Sequence, residues 1–422
     1  MLNNSEYKVK TRTTCRVCSG ALEPILDLGE HYVSDFPSPG DVLPGKAPLD
    51  LALCKRCRLL QLRHTVDPNE MYRNYWYKSG TNQTMRTALA DIANKAEALI
   101  HLKPGDAVLD IGCNDGTLLT AYRTGGIVKV GIDPSNVAAS ARKVIDKLAI
   151  NFFTAEVYQS LMAEQPVKVV TSIAMFYDLE DPNRFVSDVK RVLALDGLWI
   201  IQMSYLPLML KTNEFGNICH EHLEYYSLQS LEYLLNLHGF EIVDVELNDI
   251  NGGSLRAYIR NRGADLTVFG DPTYRSFAED RVRDMREKEI KLGLADRQPY
   301  TEFALRVERI KQDTVEFVRN VVAQNKKVYV YGASTKGNTV LQYFGLDDKL
   351  ITAAAERNPD KWGRVTVGTN IPIVSEADAR AIKPDYFLVL PWHFLEEFML
   401  REHDYLYSGG RFIVPFPYFT LV

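Results

Sequence analysis

The sequence predicts an α/β protein in three parts: a small cysteine-rich metal-binding domain, then two Rossmann-like α/β domains. Three observations predict it. Two Cys-x-x-Cys pairs lie in a Pro- and Gly-rich opening segment with little apolar core. From about residue 103, buried-type strands alternate with helical stretches. A second strand, glycine loop and helix open at Lys327. The expected domains are 1–80, 81–250 and 251–422, and 422 residues exceed what one typical core holds.

Composition narrows the classes of function. The chain is 46% hydrophobic and 24% charged, which is ordinary for a globular protein. Its net charge of -5 and pI near 6.0 give no basic footprint for nucleic acid or an anionic membrane. Met1 to Lys10 is polar, unlike a signal peptide, and no apolar run reaches the roughly 18 residues of a membrane span. The expectation is a cytoplasmic chain, working as a single copy, that binds neither nucleic acid nor membrane.

The first element is the metal site. Cys15, Cys18, Cys54 and Cys57 form two knuckles whose two-residue gaps let each pair aim both sulfurs at one tetrahedral ion. Six cysteines are too few for a disulfide scaffold. Four sulfurs leave no open position for water, so a structural zinc is expected, its charge eased by Arg16, Arg56 and Arg58. The 35-residue loop between the pairs is longer than in compact zinc ribbons. A helical pattern then runs from Asp67-Pro68 to about Leu102, with an aromatic run at Tyr75-Trp76-Tyr77 and a break near Gly80.

Ala107–Ile111 and Val128–Ile132 read as the first strands of the middle domain, with Val167–Ile173 and Leu198–Met203 after them. The turn after the first strand runs Asp110-Ile111-Gly112-Cys113-Asn114-Asp115-Gly116. Its glycines allow a tight turn and close approach of a ligand. Asp133, ending the second strand, is placed to accept from ribose hydroxyls. A dinucleotide fold shares these traits. Three details favour S-adenosylmethionine (SAM) and hence a class I SAM-dependent methyltransferase domain. Asp110 suits a cationic amino-acid tail, and the loop reads Gly-x-x-x-Gly. Ala174-Met175-Phe176-Tyr177 follows the fourth strand, where such enzymes place groups around the methionine moiety.

The next chemical segment is Cys219-His220-Glu221-His222-Leu223-Glu224-Tyr225-Tyr226. Its spacing is not that of a helical two-histidine metal site. An acid beside a histidine raises its basicity and fixes its tautomer, so a general base is expected here. Ser227 caps the following helix and Gly239 stops it. Glu241–Val245 and Leu255–Ile259 read as late antiparallel strands, and about 274–325 as a charged helical pair linking two lobes.

In the C-terminal lobe, Lys327–Tyr331 leads into Gly332-Ala333-Ser334-Thr335-Lys336-Gly337-Asn338 and a helix. The loop amides and Lys336 suit a pyrophosphate, with Ser334, Thr335 and Asn338 as further donors. Glu356 takes the position of a ribose-binding acid, and Trp392 and His393 are expected beside the same crevice. The remaining scattered histidines are read as packing residues.

In order along the chain come the paired knuckles, Tyr72-x-x-Tyr75-Trp76-Tyr77-x-Ser79-Gly80, the Asp110 loop and His220-Glu221-His222. Asn251-Gly252-Gly253-Ser254-Leu255-Arg256 and the Gly332 loop follow. Together they resemble the three-domain C-methyltransferases of TDP-linked 4-keto deoxysugars, of the tetronitrose, kijanose and mycarose type. The resemblance covers nearly the whole chain. It implies a zinc-binding N-terminal domain, a SAM-binding middle domain and a C-terminal domain that binds the nucleotide sugar. It further implies that a C4 carbonyl acidifies the hydrogen on C3, that a base removes it, and that the enolate carbon takes the methyl group. His222 would be that base, with His220, Glu221 and either Tyr75 or Tyr77 around it. Asn251 and Arg256 would lie on the substrate side. Relatives of this type carry tyrosine directly before His-Glu-His, where this chain has Cys219, a difference that bears on the sugar contacts. Two other readings stay open: methyl transfer to an oxygen or nitrogen of another small molecule, and a zinc-ribbon protein or methyltransferase that acts on nucleic acid.

Overall fold

The computed structural model describes residues 8–43, 45–72, 76–265 and 269–422. Leu22–Tyr32, Lys46–Cys54 and Leu60–Leu62 form an antiparallel sheet that carries the second knuckle in its tightest turn. Its fourth strand, Glu224–Tyr225, arrives from the middle of the chain and pairs with Gln61 and Leu60.

The middle sheet has seven strands. Their spatial order is Phe240–Asn248, Ser254–Asn261, Leu193–Ser204, Val167–Ile173, Ala107–Ile111, Val128–Ile132 and Lys147–Ala149. The last five run parallel, and Ser254–Asn261 pairs antiparallel with both of its neighbours. Every residue of Ala107–Ile111 is buried, as a central parallel strand covered on both faces requires. Ser254–Asn261 lies beyond residue 250, yet it completes this sheet.

Helices follow their local signals. Gln83–Leu99 is capped by the Asn82 side chain and buries Met85, Leu89, Ile92, Ala93, Ala96 and Leu99 along one face. Leu228–Leu237 begins with a reciprocal Ser227–Ser230 cap, and Gly239 takes the left-handed conformation just beyond its end. The helical pair is Pro272–Leu292 and Gln298–Ala323. The Glu289 carboxylate of its first helix accepts from the Leu228 and Gln229 amides, so it caps the Leu228–Leu237 helix.

The C-terminal sheet has the order Ile373–Ser375, Ala353–Glu356, Val328–Tyr331, Tyr386–Val389, Arg411–Val414 and Thr420–Leu421; all are parallel except the last. The cores are shared between these parts. Cys15, Val17, Cys54, Cys57 and Leu59 pack in one cluster with the middle sheet. Leu49, Leu51 and Leu62 of the first sheet pack with Phe215, Val330 and Leu341 in another. Among the described residues no helix is long and apolar enough to cross a membrane.

Candidate active site

The four knuckle sulfurs lie within 4.8 Å of one another. Amides of Val17 and Arg56 approach the sulfurs of Cys15 and Cys54 at 3.4 Å, and Gln61 Nε2 donates to Cys15 Sγ at 3.1 Å. Sulfurs this close cannot all ionise unless a cation shares them. Contacts with Cys15 and Cys57 hold Cys54 well below the usual thiol range, while contact with Cys15 pushes Cys57 well above it. The donor set fits zinc in a closed, structural site. Arg16 does not ease its charge as expected. Its fully buried guanidinium turns away to Gln61, the Leu62 carbonyl, Thr65 and Glu180, and the neutral Gln61 amide takes its place at the sulfur.

The cofactor loop opens on a cavity of about 490 Å³. Gly112 has φ +77°, and a Cβ there would stand 3.0 Å from the Met175 side chain. Asp133 accepts from the Asn114 amide at 2.9 Å and the Ser135 amide at 2.8 Å, leaving lone pairs for a ligand's hydroxyls. Asp110 accepts from Thr171 Oγ1 at 2.6 Å. Burial raises its carboxyl to about 7, opposed by the Thr171 bond and helped by the Asp133 charge. A buried acid of this kind suits the cationic end of SAM. Asp110, Gly112, Asn114, Asp133 and Met175 all line the cavity. Phe176 does not: it is fully buried, its ring packed against Phe185, Trp199 and Tyr226 in the core. Gly116 caps the following helix at φ +81° rather than lining the space.

The same cavity reaches Tyr77, Tyr177, Asp178, Glu221, His222, Asn251, Thr335 and Lys336. His222 Nδ1 donates to the Asn217 carbonyl at 2.9 Å, so Nε2 keeps its lone pair. Its ring meets Tyr177 edge-on, centroids 4.3 Å apart. Burial, aided by the Lys336 charge, lowers His222 to about 3. The expectation that an acid raises its basicity is therefore corrected: a main-chain carbonyl sets the tautomer, and burial makes the ring neutral. Burial likewise raises Glu221 above the usual carboxylate range. The loop is held from the first sheet, because Leu62 N donates to the Leu223 carbonyl at 2.9 Å next to the Glu224–Tyr225 pairing.

Several expected site residues are employed elsewhere. His220 Nε2 bonds the Ala47 carbonyl at 2.9 Å, facing the first sheet. Arg256 is buried against Asp91, Glu246 and Gln202, because alternation along its strand turns it toward the Gln83–Leu99 helix. Ser334 caps its own helix by accepting from Gly337 N at 3.0 Å. Asn338 ties to Ser34 Oγ and the Asp35 carbonyl. Glu356 accepts from the Ala333 and Asn358 amides, the same bonding between parallel strand ends that Asp133 makes, but outside the cavity. Trp392 donates to Glu214. Cys219 is buried and absent from the lining. Tyr75 lies outside the described residues; Trp76 and Tyr77 line the cavity. Tyr177, in the stretch expected around the methionine moiety, lines the cavity, whereas Asp178 and Phe153 are lining residues that the sequence analysis does not single out. Asp178 directly follows that stretch, and Phe152-Phe153 follows the strand Lys147–Ala149, so strand ends were the available signal.

Residues 15–72 match the profile of a zinc binding domain, 81–245 that of a methyltransferase domain, and 249–417 that of a C-methyltransferase C-terminal domain. The C-methyltransferase NovU of Streptomyces niveus is 34% identical over 372 residues, 88% of this chain and 86% of NovU. Partial overlaps occur with the [4+2]-cyclase SpnF (19% identity, 46% of this chain and 87% of that one, TM-score 0.32). They also occur with SAM-bound magnesium protoporphyrin IX methyltransferase from Synechocystis PCC 6803 (14%, 42% and 79%, TM-score 0.31). Scores this low carry no weight for function. The paired knuckles, the SAM loop and the full-length relative agree: the chain belongs to the three-domain, SAM-dependent C-methyltransferases.

Proposed function

We propose that the chain methylates C3 of a TDP-linked 4-keto-6-deoxy sugar by way of an enolate, in the making of a branched deoxysugar. The observation that supports this most is His222, which lines the same cavity as the SAM loop and whose Nδ1 bond to a carbonyl leaves Nε2 its lone pair. A group that only positions an oxygen or nitrogen acceptor needs no such base, so the carbon acceptor is favoured.

SAM, when bound, supplies a methyl group on a positively charged sulfur. Asp110 holds its cationic tail, Asp133 its ribose and Gly112 leaves room for both. In this reading His222 Nε2 takes the C3 proton, and the C–H electron pair becomes the enolate. Its carbon forms the new C–C bond as the methyl–sulfur bond breaks, and that bond's electron pair stays on the departing, now neutral sulfur. Lys336 sets a positive charge beside the developing oxyanion. Burial leaves His222 deprotonated at neutral pH, and the imidazolium that forms is offset by the enolate next to it. Thr335 and Asn251 complete the acceptor wall.

Incubation with SAM and a panel of TDP-4-keto-6-deoxy sugars in deuterated water tests this. The expected result is a C3-methylated product and C3 hydrogen exchange that requires His222. A methyl group on oxygen or nitrogen, or full turnover by His222→Asn, would overturn it.

A further inference from the structure

A second, far smaller cavity of about 10 Å³ also borders His222 and Tyr177. That volume accommodates roughly one water molecule. Its wall includes Ser204, Asn217 and Glu224. Ser204 Oγ, Asn217 Oδ1 and both carboxylate oxygens of Glu224 are buried without a hydrogen-bond partner of proper geometry among the described residues. Asn217 and Glu224 are only 2% and 1% exposed. Four such atoms on three residues of one cavity wall are costly, at about 1–3 kcal/mol each, unless something bonds them.

We propose that this cavity is a one-water site, and that Glu224, acting through that water and Asn217, is a positioning residue for the His222 base. The proposal rests on reading His222 as the base. The water donates to Asn217 Oδ1 and shares a bond with Ser204 Oγ, and Glu224 donates its carboxyl proton to the water. Burial, aided by the Glu180 charge, favours this neutral Glu224, opposed by the Arg16 and Arg12 charges and by a loose approach of the Leu179 amide. Asn217 links the water to the chemistry. Its side chain meets the water, while its own carbonyl accepts from His222 Nδ1 and from Tyr225 Oη. A fixed Asn217 therefore keeps the His222 proton on Nδ1 and the lone pair on Nε2.

The test uses the full-length zinc-loaded protein with Glu224→Gln, which keeps a donor for the water, and Glu224→Leu, which does not. Imidazole nitrogen shifts of labelled His222, read without substrate, should show one tautomer in wild type and Glu224→Gln and a mixture in Glu224→Leu. A high-resolution crystal structure should show the water within hydrogen-bond distance of Ser204 Oγ and Asn217 Oδ1. Turnover by Glu224→Leu should fall about ten- to a hundredfold, as for other residues that orient a functional imidazole, while SAM affinity holds. Where Glu224→Leu fails to fold, Ser204→Val, which fills the cavity, is expected to give the same tautomer mixture. A dry cavity, or a single tautomer in the folded variant that lacks the water, overturns the proposal. Because the nitrogen shifts need no acceptor, failure of the sugar reading alone would leave them intact.

Discussion

Asn114 of the cofactor loop donates from its side chain to the Tyr77 carbonyl at 3.0 Å, and its side-chain oxygen accepts from the Ser79 amide at the same distance. Gly80 N adds a bond to Asp115 at 2.7 Å. The aromatic segment Trp76-Tyr77 is thus fastened to the Gly112 loop on the other wall of the same cavity. The segment is gripped from the other side too, with Arg364 over the Trp76 ring and Lys78 paired with Asp360.

Asn114→Ala should therefore hurt the acceptor more than the cofactor. It leaves a carbonyl and an amide unmatched, at about 1–3 kcal/mol each. It also puts alanine at φ +51°, which asparagine tolerates better. Calorimetry for SAM and steady-state kinetics for the acceptor should show a larger loss in acceptor kcat/KM than in SAM affinity. Equal losses would refute the link.

SAM affinity should rise with pH. Asp110 titrates near 7 in the folded protein, and a cationic ligand favours its charged form, so binding releases a proton below that pH. The same raised value means the group's contribution to stability without ligand falls as pH rises from about 4 through 7. Binding isotherms in buffers of different ionisation heat measure the released proton, and Asp110→Asn should abolish both the release and the pH slope.

At saturating SAM the turnover profile should lack a histidine limb near 6.5, because burial keeps His222 neutral down to about 3. A lowered folded value also means the stability from neutral His222 is lost as pH falls below the ordinary histidine range. An activity limb centred near 6.5 that disappears in His222→Gln would contradict this.

Glu180 joins residues 10–16 and Thr65 of the N-terminal domain to the middle domain. Its carboxylate takes Lys10, Arg12, Arg16 and the Thr65 hydroxyl; these partners outweigh its partial burial and hold it at about 2. Glu180→Leu strands the buried Arg16 and is expected to cost about 3–5 kcal/mol by denaturant unfolding. The wild-type stability from this carboxylate should be present above about 4.5 and lost as pH falls toward 2.

Removing zinc should disturb chemistry through the fold. Gln61 bonds Cys15 and pairs in register with Glu224, two residues after His222. Chelation should release one metal per chain, lower the unfolding temperature and loosen the 219–226 segment in hydrogen exchange. If the apo protein stays folded with that segment protected and yet is inactive, the metal is not merely structural.

Much of this was legible in the sequence, and the misses share a cause. Asp110, Asp133 and the Ser227 cap follow from local rules, because a strand end or a helix start fixes its own geometry. The same holds for the four cysteines. His220 and His222 are two residues apart and look alike in sequence, yet one bonds the Ala47 carbonyl and the other borders the cavity. That division comes from the packing of residues 46–62 against 219–226, which no local pattern encodes. Arg256 was drawn to the substrate by its motif, but Asp91 and Glu246, distant in sequence, claim it. Ser254–Asn261 joins the middle sheet for a similar reason: antiparallel pairing with Leu193–Ser204 decides it, and the chain carries no break there.

The Glu224–Tyr225 strand has a consequence for how the molecule comes into being. Residues 22–62 leave the ribosome early, but the edge beside Leu60–Leu62 stays open until residue 225 has been made. Contacts this remote in sequence form late and slowly. A zinc ion captured by the knuckles could hold the young hairpins in register through that wait. Shortened chains that end before residue 225 should then depend on the metal more, and expose a stickier edge, than the finished enzyme.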